Sequence, residues 1–310
     1  MPRFSHTVKE QISLRLDRYV SENLRLLSRS QIKARNLKAQ KNGKDVKLSR
    51  LVRQGDIIEL YWDEAQPENI TPQDIPLDIV YEDERCVVIN KAQGMVVHPG
   101  AGNRQGTLAN ALYFRRLNIK NTDFSSGLRP GIVHRLDKET SGIIIAAYDD
   151  EAHAFLSEQF KARKVKKNYV AVISGVPKEK KGRIETCISR DRQDRKRFAV
   201  STNGKTALTF YKVLKSWQNY SLILLRPRTG RTHQLRVHLR HIGHPILGDS
   251  VYGFNDRYFP NASLMLHSKS LAITLLNETE ERFFSSPIPE RFLAIIKKLN
   301  NNSDGDVNGK

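Results

Sequence analysis

An abrupt change of charge divides this chain and constrains how it can fold. Residues 1–62 hold 14 Lys and Arg against six Asp and Glu. Residues 63–84 then hold eight acidic residues and neither Lys nor Arg, with Pro67, Pro72 and Pro76 among them. Proline resists continuous helix, so this segment is typical of a linker. We therefore predict a small basic domain (1–62), a linker (63–79), a larger domain (80–300) and a disordered polar tail (301–310).

The overall charge indicates the kind of partner. The chain of 310 residues carries 52 Lys and Arg against 33 Asp and Glu, a formal net charge of +19. Such an excess favours nucleic acid or an anionic membrane surface. The longest apolar runs, such as GIIIAAY, fall far short of the roughly 18 residues that a membrane span requires, and no charged leader with an apolar stretch opens the sequence. With only two cysteines, Cys86 and Cys187, we expect a cytoplasmic protein.

The basic N-terminal segment has the pattern of a small α/β unit. Leu16, Val20 and Leu24 recur at helical spacing, and Ser28 with Gln31 matches a capping box for a second short helix. Asn42-Gly43 predicts a tight turn between short strands, and DIIELYW predicts a closing strand. The exposed cations are expected on the second helix.

The remainder of the chain predicts a mixed α+β domain. Strand-like runs such as CVVIN, GIIIAAY, NYVAVISG, TALTFYKVL and YSLILLRP are interspersed with the helical segments EAHAFLSEQFKAR and PERFLAIIKKL. Because strands and helices do not alternate regularly, a doubly wound parallel sheet is disfavoured. We predict a largely antiparallel sheet.

The segment GIVHRLDKETSG places an acid inside a basic chain. If GIVHRLD is extended, Val133, Arg135 and Asp137 share one face, opposite His134. An exposed ion pair at a strand edge, worth about 0.2–1 kcal/mol, would explain Asp137 without function. So would a role in capping the following turn.

An arginine-rich segment, residues 226–253, favours contact with phosphate. Its five arginines precede the first acid, Asp249, and arginine suits planar recognition of phosphate or carboxylate. The alternative is an ordinary solvated basic helix. Four histidines in the same segment suggest a metal, which we reject because the arginines oppose a dication and no local carboxylate completes a site.

A basic run before a strand, KARKVKKNYVAVISG, places Tyr169 beside cations. A tyrosine at this position is commonly a half-buried core residue. An extruded RNA base also needs an aromatic or apolar surface to stack upon, worth about 1–3 kcal/mol per base.

Together these segments resemble the RluA-type pseudouridine synthases, which are bacterial RNA-modifying enzymes. HRLDKETSG is similar to the signature around the family's nucleophilic aspartate, KNYVAVISG to its tyrosine-bearing strand, and RTGRTHQLRVHL…GHPILGDSVYG to its third signature. GMVVHPGAGNRQGTLANAL is similar to the RluD-like branch, which acts on large-subunit ribosomal RNA. Residues 13–62 resemble the small RNA-binding module that precedes the catalytic domain in many members.

The resemblance implies an enzyme that converts uridine to pseudouridine without cofactor or metal. It implies that Asp137 is the nucleophile, Tyr169 stacks on the base and helps to remove the carbon-5 proton, and Arg231 pairs with the aspartate. It implies that Arg135 enters the RNA stack in place of the flipped nucleotide. Asp suits the role because its ordinary pKa of about 3.9 leaves it ionised at neutral pH.

The expected partner is ribosomal RNA or a pre-ribosomal large subunit, bound by a monomer. We predict RNA contacts at six further residues: Arg18, Arg29, Lys33, Arg35, His134 and Arg236. Two other classes remain open. A non-catalytic RNA-binding or assembly factor would use the same charge but has no need of Asp137, and a nuclease would use histidines as acid and base.

Overall fold

The chain forms two units, divided between residues 69 and 70. The computed structural model describes residues 2–24, 26–27, 29–63, 70–100, 102–117, 131–191, 193–194 and 196–305. The division falls inside the segment for which the sequence predicts a linker; the bounds of that linker stay a prediction. Among the described helices, none is long and apolar enough to cross a membrane.

The N-terminal unit is a small α/β unit with a four-stranded antiparallel sheet, ordered β1-β6-β3-β4, and a separate β2-β5 pair. Its elements are β1 (Arg3–Thr7), β2 (Ser13–Arg15), α1 (Leu16–Arg18), a π-helical turn (Tyr19–Asn23), α2 (Arg29–Ala34), β3 (Lys38–Lys41), β4 (Lys44–Val46), β5 (Leu51–Arg53) and β6 (Ile57–Tyr61). Leu16 and Val20 are buried in its core, and Leu24 packs against them.

Local sequence signals in this unit are confirmed where they depend on backbone conformation. Asn42 and Gly43 both have positive φ, 51° and 74°, as a two-residue hairpin turn between β3 and β4 requires. The predicted closing strand is β6. The predicted first helix is only α1 followed by the π-helical turn. Ser28 lies outside the described residues, so its capping box stays a prediction.

The larger unit is built on a ten-stranded sheet in which β16 pairs with β15 beside the main path β12-β11-β13-β14-β10-β15-β9-β8-β7. Its strands are β7 (Ile79–Glu82), β8 (Cys86–Lys91), β9 (Ser141–Ala147), β10 (Lys166–Ser174), β11 (Lys181–Arg190), β12 (Phe198–Val200), β13 (Lys205–Ser216), β14 (Tyr220–Pro227), β15 (Leu266–Thr274) and β16 (Glu281–Ser285). The helices are α3 (Leu108–Leu117), α4 (Asp150–Lys161), α5 (Gln234–His241) and α6 (Glu290–Gly305). Among the described strand pairs of this sheet, only β9–β15 is parallel, so the predicted mixed α+β fold with a largely antiparallel sheet is confirmed.

Alternation along the central strands explains how the sheet buries both faces. In β9, Ile144 and Ala146 belong to one apolar core, whereas Ile143 and Ile145 belong to the other. Successive side chains of a strand point to opposite faces, so a continuous apolar run marks a strand covered on both sides. Helix α4 covers the second face with Leu156.

Gly142 allows β9 to approach β15 closely at the start of their parallel pairing. Its φ is +111°, and a Cβ there would lie 2.2 Å from the Ser268 carbonyl oxygen. Glycine is therefore required at this position. The close approach fixes the strand that directly follows the segment carrying Asp137.

The last helix extends further than the sequence predicts. Helix α6 continues to Gly305, and the disordered tail over 301–310 stays a prediction. Phe292, Ile295 and Leu299 are buried and anchor the helix, and polar residues can extend a helix that is already formed. Residues 306–310 lie outside the described part.

Candidate active site

Asp137 lies in an irregular segment that leads into β9 and forms part of a pocket of about 560 Å³. Within residues 131–140, which precede β9, Ile132 alone forms a β-bridge, and its partner is Ala146 of β9. Residues 133–137 all line the pocket. The predicted alternation of faces is therefore wrong, because the segment lacks the regular pleat that alternation needs.

Two basic side chains face the Asp137 carboxylate. Arg236 Nη1 lies 3.6 Å from Asp137 Oδ2, and His233 Nε2 lies 4.0 Å from Oδ1. The Asp137 side chain is 19% exposed, so it reaches the solvent of the pocket while its oxygens stay near these groups. The carboxylate is thus accessible to a substrate and oriented by its neighbours.

Arg236 is held between two carboxylates. Its Nε and Nη2 donate to Asp249 at 2.8 and 2.7 Å in a bidentate pair, and its Nη1 faces Asp137. The guanidinium carbon also lies 5.1 Å from the centre of the Tyr252 ring. The Asp249 side chain is 0% exposed and that of Arg236 is 6% exposed. A bidentate pair fixes the plane of the guanidinium, and therefore the direction in which Nη1 points.

Electrostatics keep this buried pair charged. Burial by itself would raise the pKa of Asp249, but the Arg236 guanidinium and the backbone N–H groups of Tyr252 and Val251 hold that pKa below its usual range. Burial would likewise lower the pKa of Arg236, which Asp249 raises above its usual value. The Asp137 carboxylate acts on Arg236 in the same direction.

Arg231 does not pair with Asp137 as the sequence predicts, because Arg236 occupies that position. Arg231 Nε donates instead to the Thr206 carbonyl at 3.1 Å, and Arg231 has no carboxylate oxygen within 4.0 Å among the described residues. The reason is helical geometry. Arg231 precedes α5, whereas Arg236 lies in its first turns, on the side that faces Asp137 and Asp249. Arg231 still lines the pocket.

The RNA contact predicted for Arg236 stays a prediction, and Arg236 lines the pocket. Its guanidinium is buried against Asp249, Asp137 and Tyr252 and is not presented on the surface. A solvated basic helix is excluded for the same segment, since Gln234 to Leu239 are all buried.

The turn before α5 is held by Gln234 and Tyr252. Gln234 Oε1 accepts from the Arg231 N–H and the Thr229 hydroxyl, and its Nε2 donates to the Leu208 carbonyl. His233 has φ 55°, a left-handed conformation that is costly for a non-glycine residue. Its Nδ1 lies 2.9 Å from the Tyr252 hydroxyl, and burial lowers its pKa although Asp137 opposes this. The strained residue is therefore fixed with its ring toward Asp137.

Tyr169, in β10, lines the same pocket as Asp137. It is only 9% exposed. Burial raises the pKa of its hydroxyl to about 12, and a hydrogen bond with Ser268 partly offsets this. The hydroxyl is therefore protonated at neutral pH.

Lys91, at the end of β8, hydrogen-bonds the backbone next to Asp137. Its Nζ donates to the carbonyls of Ala92, Met95 and Lys138 at 2.8, 2.9 and 3.2 Å. Burial lowers the pKa of its ammonium group to about 8, although Glu139 and Asp137 oppose this. Lys138 follows Asp137 directly, so Lys91 restrains the backbone that carries the carboxylate.

Cations surround the mouth of the pocket. Arg135, Lys161, Arg163 and Arg228 are exposed and line it. His134 forms part of its wall: Nε2 accepts from the Ile145 N–H at 3.0 Å, and the ring stacks on Phe160. Burial lowers the pKa of His134 to about 3. The mouth suits a polyanion, and the RNA contacts of Arg135 and His134 stay predictions.

The predicted RNA-contacting residues of the N-terminal unit have different surroundings. Arg18 forms an exposed ion pair with Glu22 at 3.0 Å. Lys33 is exposed and Arg35 is half-buried. The side chain of Arg29 lies outside the described residues.

The four histidines of the arginine-rich segment are dispersed. His238 lies between Thr186 and Thr209, and His244 Nδ1 faces the Ser174 carbonyl at 3.1 Å. Across the described part of the chain, no three side chains of the metal-binding types converge.

Sequence reasoning missed four residues of this site: Lys91, His233, Asp249 and Tyr252. Asp249 had a signal, since it is the first acid after the arginine run and belongs to GDSVYG. Lys91 had none, because a single lysine at a strand end does not reveal that it is buried.

The fold and the pocket define a class of protein. A partly accessible carboxylate, oriented by a buried arginine beside a buried tyrosine and reached through a cationic mouth, is suited to nucleophilic catalysis on a nucleic acid. The sequence profile of the family described as RNA pseudouridylate synthase matches residues 85–241. The chain therefore belongs to the RNA pseudouridylate synthase family, which isomerises uridine in RNA.

Relatives and solved structures agree with this assignment. The chain is 43% identical to ribosomal large subunit pseudouridine synthase D of Borreliella burgdorferi, over 94% of this chain and 91% of the relative. It is 35% identical to the protein of the same name from Haemophilus influenzae, over 94% and 92%. The structure of human RNA pseudouridylate synthase domain containing 4 matches with a TM-score of 0.58 and 28% identity, over 72% of this chain and 93% of that one. The predicted RluA-type resemblance is confirmed.

Proposed function

We propose that this enzyme converts specific uridines of large-subunit ribosomal RNA to pseudouridine, with Asp137 as its nucleophile. The observation that carries the proposal is the position of Asp137, whose carboxylate lies in the pocket 3.6 Å from the buried Arg236. The names of the relatives, which specify the ribosomal large subunit, support the choice of RNA.

The chemistry needs a carboxylate that is ionised and correctly aimed. Asp137 attacks the target uridine at the ribose carbon or at the uracil ring, and the glycosidic C–N bond breaks. The base turns and rejoins the ribose through carbon 5, and the proton on that carbon leaves. Arg236 orients the attacking oxygen, and Asp249 fixes Arg236 from behind. No atom is added or lost overall, as an isomerisation requires.

Tyr169 lines the same pocket as Asp137, which supports a role for its ring against the base and for its hydroxyl in the reaction. Since the pKa of this hydroxyl is raised to about 12, the group carries its proton at neutral pH. It therefore takes part in removal of the carbon-5 proton as a relay: the phenolic oxygen accepts that proton while the hydroxyl passes its own proton to solvent water in the pocket.

Access to the pocket requires the uridine to leave its stack. Flipping costs a few kcal/mol and costs less in a loop or strained RNA. Arg135 is exposed at the mouth, which supports the proposal that it fills the vacated position. The same feature favours hairpin loops as substrates.

The N-terminal unit serves as an additional RNA-binding module, with Arg18, Lys33 and Arg35 among its contacts. The monomeric state stays a prediction. A ribosomal substrate places the enzyme in the cytoplasm.

Pseudouridine mapping tests this proposal. Large-subunit ribosomal RNA and assembly particles are incubated with the wild type, with Asp137→Asn, and with Asp74→Asn, which makes the same change at an exposed site outside the pocket. We expect new pseudouridines with the wild type and Asp74→Asn, and RNA binding without modification for Asp137→Asn. Turnover by Asp137→Asn near the wild-type rate would remove it as nucleophile. Modification of another RNA alone would overturn the ribosomal assignment.

A further inference from the structure

We infer that a groove on the outer side of β11, β13 and β14 binds the RNA strand that flanks the target nucleotide. The inference rests on the proposed function, since it takes RNA as the substrate. The groove, of about 640 Å³, contains four cations and two exposed apolar side chains: Lys181, Arg183, Lys212, Arg226, Phe210 and Leu214. None of these belongs to the pocket that holds Asp137.

Strand register places the cations around Phe210. Arg183 of β11 and Arg226 of β14 lie opposite Phe210 of β13, one on each side, and Lys181 lies opposite Lys212. All four cations are exposed. None of the described residues that line the groove is acidic, and the neighbouring Glu185 is 3.6 Å from Arg183. This charge is complementary to a phosphate backbone.

The apolar residues add a surface for bases. Phe210 is 38% exposed and Leu214 is 47% exposed, although the other face of their strand is buried at Ala207 and Thr209. Exposed aromatic residues between cations are the composition that binds single-stranded nucleic acid, where bases stack on rings and phosphates contact Lys and Arg. A solvated sheet face needs no aromatic residue.

Arg228 connects the groove with the catalytic pocket. It lines the pocket, and its guanidinium carbon lies 6.0 Å from the centre of the Phe210 ring. Arg226, two residues earlier, faces Phe210 across the strands and donates to Asn168 at 2.8 Å. An RNA strand that leaves the mouth past Arg228 therefore reaches the groove directly. This continuity favours RNA over an unrelated acidic protein.

Binding measurements on two RNAs test the inference. One RNA is a minimal hairpin that holds the mapped target uridine, and the other is the same hairpin extended by its single-stranded flank. Lys181→Gln/Lys212→Gln is compared with Lys297→Gln/Lys298→Gln, two exposed lysines of α6, and Phe210→Ala is compared with Phe283→Ala, an exposed phenylalanine of β16. The dissociation constant is measured against salt concentration.

We expect the groove variants to differ from their controls on the extended RNA only. The double lysine variant should reduce the slope of log affinity against log salt by about 1.4, that is about 0.7 for each lost phosphate contact on a single strand. Phe210→Ala should weaken binding about fivefold or more.

Two outcomes overturn the inference. Equal affinities and slopes for groove and control variants on the extended RNA would show that the flank does not use the groove and would leave it to another partner. An equal loss on both RNAs would show a general charge or folding effect. Because these readouts are of binding, they are independent of turnover; absence of pseudouridine with the wild type would contradict the proposed function instead.

Discussion

The floor of the catalytic pocket and the outer groove use the same residue types in opposite ways. In the pocket, Arg236 is buried and paired with Asp249 on one side and Asp137 on the other. In the groove, Lys181 and Lys212 are exposed and face solvent. A buried cation with fixed partners holds a defined orientation, because moving it away from those partners would leave a desolvated charge unpaired. Exposed cations give attraction that salt screens. The comparison predicts large, specific effects in the pocket and modest, salt-dependent effects in the groove.

The largest effect is expected from removing the buried partner of Arg236. Asp249→Asn leaves a buried guanidinium with half of its charge compensation lost, and we expect the free energy of unfolding to fall by about 3–5 kcal/mol. Urea titration measures this. The control is Glu278→Gln, which breaks an exposed pair with Arg282 and should cost at most about 1 kcal/mol. Equal losses in the two variants would contradict the special role of the buried pair.

The next effect concerns the hydroxyl of Tyr169. Tyr169→Phe keeps the ring and removes the relay, so turnover should fall about a hundredfold, the lower range for general acid–base catalysis, with RNA affinity kept. Single-turnover kinetics separates the two quantities. Phe283→Tyr adds a hydroxyl at an exposed position of β16, outside both sites, and should leave turnover unchanged. An unaffected rate for Tyr169→Phe would reduce this residue to packing.

A smaller loss of turnover is expected when either arginine of the third signature, Arg236 or Arg231, is replaced by lysine. Arg236→Lys retains charge but loses the bidentate fork to Asp249, and we expect a loss of tenfold or more, about 1.4 kcal/mol, in kcat. Arg231→Lys should change kcat by less, because its guanidinium contacts the Thr206 carbonyl. Kinetics on the mapped RNA compares both. A larger loss for Arg231→Lys would restore the pairing predicted from the sequence.

Acid should destabilise the catalytic unit through buried histidines. Burial lowers the pKa of His238 and of His267 to about 4, whereas an unfolded histidine titrates near about 6.5. Between these values the unfolded chain binds more protons, so the free energy of unfolding falls as pH falls through this window, by up to about 1.4 kcal/mol per pH unit for each histidine.

Unfolding from pH 7 to pH 4.5 measures this slope. His238→Gln should flatten it relative to the wild type, because a neutral amide can still face Thr186 and Thr209. His241→Gln, at an exposed position, is the matched control. A slope that is unchanged in His238→Gln would show that this histidine is charged in the folded protein.

Much of the fold could be predicted because its signals are local. The continuous apolar run GIIIAAY is typical of a strand buried on both faces, and Asn42-Gly43 predicts the turn that its two positive φ angles form. Helices α4 and α6 follow from periodicity, although the end of α6 does not, since polar residues carry no signal for where a helix stops. The burial of α5 could not be predicted, because its cations suggested a solvated surface whereas the structure buries most of the helix.

The residues of the site could be picked out from the sequence, but the contacts between them could not. The sequence motifs indicated Asp137 and Tyr169 as candidate functional residues, and both line one pocket in the fold. They could not show that Lys91 fastens the backbone next to Asp137, because Lys91 and Lys138 are 47 residues apart. Nor could they show that Phe210 and Arg226 meet across two strands.

The sequence by itself determined which groups are proposed to react, since an acid within GIVHRLDKETSG and a tyrosine after a basic run can be read from the residues themselves. It also determined the class of fold, because strand and helix patterns act over a few residues. The tertiary structure alone decided which arginine faces Asp137. That choice depends on the rotation of α5 and on Asp249, 13 residues beyond Arg236, whose bidentate pair turns the guanidinium toward the pocket. Charge is a property of a residue, whereas the direction of a buried charge is a property of its packing.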